Sequence, residues 1–144
     1  MDNTANQTIT PEQEQFIRQN VYVVNCTVFF TRLKEPTEAT IDYSGAYLLG
    51  IIERHKITSL AIDVRFGEVL EYKLRKRMFM QLLHFQEYLS HVYIIRPADP
   101  LFMVAANFGF RVLNLHKEMS WSIHDGPEDV LALIQSEQES APNT

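Results

Sequence analysis

At 144 residues the chain has length for one domain with a sizeable core. Hydrophobic residues make up 46% and charged residues 22%, as in ordinary globular proteins, and the net charge of −5 removes the basic footprint that nucleic-acid binding needs. No run approaches the roughly 18 apolar residues that span a bilayer, and Met1-Asp2-Asn3-Thr4 lacks the basic-then-apolar opening of a signal peptide, so a cytoplasmic protein is expected. The single cysteine, Cys26, excludes an intramolecular disulfide; within an alternating strand it reads as a buried thiol in a reducing compartment.

In chain order, residues 1–15 are polar and aperiodic and read as a flexible tail. Glu12–Asn20 fits a first strand or a short helix, since Phe16 and Ile17 are too little pattern to decide. Val21–Thr31 is β-branched and aromatic and predicts one long strand or a tight pair, ended by Lys34-Glu35-Pro36. A helix over Ile41–Arg54 sets Ile41, Gly45, Leu48, Leu49 and Ile52 along one face. Leu60–Phe66 is the next strand, broken by Gly67, and a long helix follows over Val69–Leu89. Val92–Ile95 has the continuous apolar character of a buried strand and stops at Arg96-Pro97. Another helix starts after Asp99-Pro100, with Asp99 as its cap and Pro100 in its first turn. An alternating strand over Met119–Ile123 and a last helix opened by Asp125-Gly126-Pro127-Glu128-Asp129 complete a single domain over 16–135, followed by a flexible tail over 136–144.

Strands that alternate with separately punctuated helices predict an α/β fold with a mixed, largely parallel sheet of about four to five strands and about four helices. That order, the strand Ala61-Ile62-Asp63-Val64-Arg65, the segments Ala105-Ala106-Asn107-Phe108 and Leu113-Asn114-Leu115, and the ending Trp121–Asp125 with Glu128–Ile134 resemble the STAS domains of anti-sigma-factor antagonists. More narrowly, the chain looks like STAS-like small bacterial proteins related to the CRAL-TRIO lipid-transfer fold. The resemblance covers Val21 to Ile134. It implies a regulatory domain that acts through protein contacts. STAS antagonists are switched by phosphorylation of a Ser or Thr where the central strand meets the long helix; Arg65-Phe66-Gly67-Glu68-Val69-Leu70 here has no hydroxyl. Glu68 reads as a first-turn acid that suits the helix dipole, or as a fixed phosphate mimic.

Asp63 and Arg65 share one face of their strand with Ala61, opposite Ile62, Val64 and Phe66. Ligands of open α/β sheets sit beyond the carboxyl ends of the strands, which makes Asp63, Arg65, Arg96 and Asp99 the residues expected to border a site. The plainer alternative is a structural ion pair and a helix cap. Among the five histidines (His55, His84, His91, His116, His124) no pair has the spacing of a zinc-binding helix, so neither metal nor cofactor is expected. No nucleophile elbow, phosphate loop or dinucleotide fingerprint occurs, and the expectation is a non-enzyme without catalytic residues.

On the long helix, Leu70, Leu74, Met78, Leu82, Phe85 and Leu89 follow helical spacing and should face the sheet. Tyr72, Phe79 and Leu83 form a second stripe, with Lys73, Arg75, Lys76 and Arg77 around its first half. Either a neighbouring element covers that stripe, or Tyr72, Arg75, Lys76, Phe79 and Leu83 form a surface for a protein partner or a homodimer. The helix over Pro100–Leu115 is apolar nearly all round, apart from Asn107, Arg111 and Asn114, and predicts a core helix. Its small residues also suit the alternative implied by the CRAL-TRIO resemblance, a binder of an apolar small molecule or lipid lined by Phe102, Ala106 and Phe110.

Overall fold

A computed structural model describes residues 8–66, 70–101, 104, 107, 108, 111 and 119–140, with the side chains of 138–140 excepted. Helix α1 (Pro11–Gln19) begins inside the stretch expected as a tail. Its start is over-determined locally: the Gln13 amide donates to Thr10 Oγ1, the Gln13 side chain accepts from the Thr10 amide, and Pro11 enters the first turn. One residue, Ile17, then anchors it at 0% exposure.

The apolar run that follows is a tight pair, β1 (Val21–Val24) and β2 (Thr27–Thr31), antiparallel with Tyr22 opposite Phe29. Asn25 turns the chain with φ at 55°, a left-handed conformation that asparagine tolerates better than most residues. The turn places Cys26 at the surface, which corrects its reading as a buried thiol: the alternation it was assigned to stops at Val24.

Helix α2 (Glu38–His55) is capped by Thr37 and Thr40, whose hydroxyls each accept the other's amide. Strand β3 (Ser59–Asp63) ends earlier than expected because the Asp63 carboxylate accepts the Arg65 amide at 3.1 Å, an aspartate turn that takes the chain out of the ladder. Helix α3 (Tyr72–Phe85) and strand β4 (His91–Ile95) follow. The described positions Pro100, Leu101, Val104, Asn107, Phe108 and Arg111 are all helical, and β5 (Ser120–His124) leads into α4 (Pro127–Ser140). Helical backbone thus extends past the expected boundary at residue 135.

Among the described residues five strands lie in the order β1-β2-β3-β4-β5, parallel from β2 onward, so the fold is α/β with a mixed, mostly parallel sheet and, besides the helical positions between Pro100 and Arg111, four helices. Strands β2 to β5 step across the sheet in one direction. Right-handed crossovers therefore put the connecting helices on a single face. On that face Val28, Leu60, Ile62, Val92 and Ile94 pack with Ile17, Leu48, Ile52, Leu82 and Phe85 from α1, α2 and α3. The opposite face is left to α4, whose Val130 and Ile134 cover Phe29, Ala61, Tyr93 and Ile95.

No helix among the described residues is long and apolar enough to cross a membrane.

Candidate functional site

Three places carry polar or exposed chemistry. The first is the carboxyl edge of the parallel strands. Asp63, 9% exposed, is clasped by Arg65, whose Nε and Nη2 donate to the carboxylate at 3.0 and 2.8 Å. This forked contact holds the Arg65 guanidinium more firmly protonated than usual, chiefly through the hydrogen bond itself. At the next strand ends, Arg96 Nε donates to Asp125 at 2.8 Å, and Asp99 accepts the Leu101 amide at 2.9 Å as a helix cap. The expected quartet therefore resolves into an Asp63–Arg65 pair, an Arg96–Asp125 pair and a cap. Among the described hydrogen bonds none joins the two pairs. An open depression of about 510 Å³ lies between Arg96, Asp99 and Asp125.

Immediately beyond Arg65 the surface turns aromatic. Phe66 is 65% exposed with the Arg65 guanidinium 5.0 Å above its ring, and Tyr72 is 68% exposed with that of Arg75 at 6.0 Å. The basic collar of α3 divides here. Lys73 binds Glu38 at 2.9 Å and Arg77 binds Asp42 at 2.6 Å, both drawn onto α2, whereas Arg75 and Lys76 make no ion pair among the described residues. The second stripe divides as well: Tyr72 projects, but Phe79 and Leu83 pack against the core beneath. Close approach of α2 explains this. The Gln81 side chain donates from Nε2 to the Ile41 carbonyl at 2.6 Å and fills the space that a Cβ at Gly45 would need. Residues 67–69, including Glu68, lie outside the described residues.

The second place is a cavity of about 40 Å³ between the sheet, α2 and α3, lined by Phe30, Leu48, Leu60, Leu82 and the guanidinium-bearing Arg32. Burial lowers the Arg32 pKa, because an apolar wall disfavours its charge. The volume suits a water molecule or two and is far below what an acyl chain requires. Phe102, Ala106 and Phe110, expected to line an apolar site, lie outside the described residues. Leu101, Val104 and Phe108 of the same segment are each about 70% exposed, so this face differs from the core helix expected from its composition.

The third place was missed by reasoning from the sequence. On the α4 side of the sheet, His91 Nδ1 lies 2.6 Å from Ser120 Oγ and its Nε2 lies 2.7 Å from Ser122 Oγ. Ser122 Oγ in turn lies 2.6 Å from His124 Nε2. Tyr93 packs beside both rings, at 4.4 Å from His91 and 5.6 Å from His124. The signal was present as period-two spacing, Ser120-x-Ser122-x-His124 beside His91-x-Tyr93. What it lacked was the register that sets His91 opposite Ser120. Among the described residues no group of three His, Cys, Asp or Glu is placed to hold a metal ion. No protein-family model matches the chain, and no curated protein is detectably similar to it in sequence.

Proposed function

We propose that the chain is a non-catalytic regulatory or scaffolding domain that acts through protein contacts, with Phe66, Tyr72, Arg65, Arg75 and Lys76 as its docking face. The observation that carries this reading is the pair of largely exposed aromatic rings, each beneath an arginine, at the carboxyl edge of the sheet. Aromatic residues and arginine are the side chains from which interface anchors are chiefly drawn. The cations sit on a chain whose net charge is −5, so they form a local exception to its overall sign. An isologous homodimer through this face would set Arg75 and Lys76, which make no ion pair among the described residues, near their own copies. The occupant it suits is instead an acidic segment with an apolar anchor. The STAS-like resemblance points to the same corner, since those antagonists are switched where the central strand meets the long helix.

A peptide-display selection on the immobilised chain tests this. Selected sequences should be acidic with an aromatic or aliphatic anchor, and Tyr72→Asp should weaken their binding by about tenfold or more, the loss typical of an interface anchor. Selection without a charge preference, or binding indifferent to Tyr72→Asp, overturns it. The alternative, a binder of an apolar small molecule, predicts a co-purified apolar mass in native mass spectrometry. The 40 Å³ cavity offers such a ligand no room.

A further inference from the structure

The hydrogen bonds around His91 admit one polarity that satisfies every partner. Ser120 Oγ lies 3.1 Å from the Ser90 carbonyl, which can only accept, so the Ser120 hydroxyl donates there. It then accepts from His91 Nδ1–H. The neutral ring's Nε2 accepts from the Ser122 hydroxyl, and Ser122 Oγ accepts from His124 Nε2–H. The Ser120 amide donates to the same Ser90 carbonyl at 3.1 Å, and the Ser90 amide continues to the Thr58 carbonyl at 2.8 Å. One directional chain therefore runs from His124 to the Ser90 carbonyl, stitching edge strand β5 to β4 through side chains as well as through the ladder.

We propose that this His124–Ser122–His91–Ser120 chain is an acid-sensitive clasp that holds β5 to β4 while His91 is neutral and opens when His91 takes up a proton.

The geometry supplies the reason. A charged His91 ring carries N–H on both nitrogens, so Ser122 Oγ must accept from it, and while His124 keeps its proton on Nε2 the Ser122 proton loses the acceptor it had; only a shift of the His124 proton to Nδ1 restores one. If His124 is charged as well, two cations flank one hydroxyl. Facing the His91 ring are Ser120, Ser122 and His124 from β5, Tyr93 on its own strand, uncharged Ser59 as register neighbour on β3, and the Glu137 carboxylate from α4. Glu137 favours the charged ring. Burial and His124 oppose it and prevail, so His91 takes up its proton at lower pH than an ordinary histidine. The clasp joins β4 to β5, elements that carry none of the docking-face residues, and does not depend on that face having a partner.

Amide hydrogen exchange on the full chain between pH 7.5 and 5.0, corrected for intrinsic rates, tests the proposal. Protection over Ser120–His124 should fall by about tenfold on acidification, the scale of one ordinary hydrogen bond, while β2 and β3 keep theirs. In His91→Gln, which retains a donor and an acceptor without a titrating charge, that fall should vanish. NMR titration of the parent and of His124→Gln gives a second readout: removal of His124 should move His91 protonation to higher pH. Equal loss of protection across all strands, an unchanged fall in His91→Gln, or a His91 titration indifferent to His124 each overturns the clasp.

Discussion

The two faces of the sheet are built from the same strands and differ in almost everything else. One is apolar from β2 to β5 and lies under three helices, so its side chains interlock with little polar content. The other is roofed, among the described residues, by α4 and carries Asp63, His91, Ser120, Ser122 and His124 beside Phe29 and Tyr93. The difference is topological before it is chemical. One-directional strand order with right-handed crossovers commits the connecting helices to one side. The remaining side is incompletely covered, and there polar groups can be kept provided that each finds a partner.

The comparison breaks most visibly in the fully covered face. Leu60→Ala removes a side chain with 0% exposure beneath α2 and α3 and should cost about 3 kcal/mol in denaturant unfolding. A cost below about 1 kcal/mol would mean that this face is not the principal core. Val130→Ala deletes the main anchor of α4 on the other face and should cost about 2 kcal/mol, from the same loss of transfer and packing energy over a smaller side chain. If it equals or exceeds Leu60→Ala, the roof of α4 matters more than its single helix suggests. Ser122→Ala leaves both flanking imidazole nitrogens to find new partners at a half-buried site, and about 1 kcal/mol is expected. A stabilised variant would show that the hydroxyl bridge is strained rather than supportive.

The smallest effect sharpens the comparison further by its sign. His91 is held below its ordinary value of 6.5, first by burial and then by His124. The unfolded chain therefore binds that proton more readily. The contribution of His91 to stability is full above the unfolded value and is lost as pH falls through the lower folded value. Thermal midpoints should decline on acidification through this window in the parent and less so in His91→Gln. A rising midpoint would mean that attraction to Glu137 outweighs burial.

Much of the fold was legible in the residues. Continuous apolar strands, Pro and Gly punctuation, and helical spacing were enough for α/β order and a largely parallel sheet. Local polar competition was harder to see: Asp63 ends β3 with its own side chain, and Asn25 divides an apolar run into a hairpin and exposes Cys26. Of the expected site residues, Asp63 meets Arg65, but Arg96 meets Asp125, and Phe79 and Leu83 pack inward because Gly45 lets α3 approach α2. Periodicity states which residues share a stripe and is silent on what lies against it.

By itself, the sequence determined what short-range physics controls: caps such as Asp99-Pro100, strand faces of alternating polarity, and a net charge of −5. Only the tertiary structure decided which face α4 covers, which arginines remain over open rings, and that His91 on one strand meets Ser120, Ser122 and His124 on another. Those pairings join residues about thirty positions apart, and their register is set by long-range sheet packing, which no local pattern encodes.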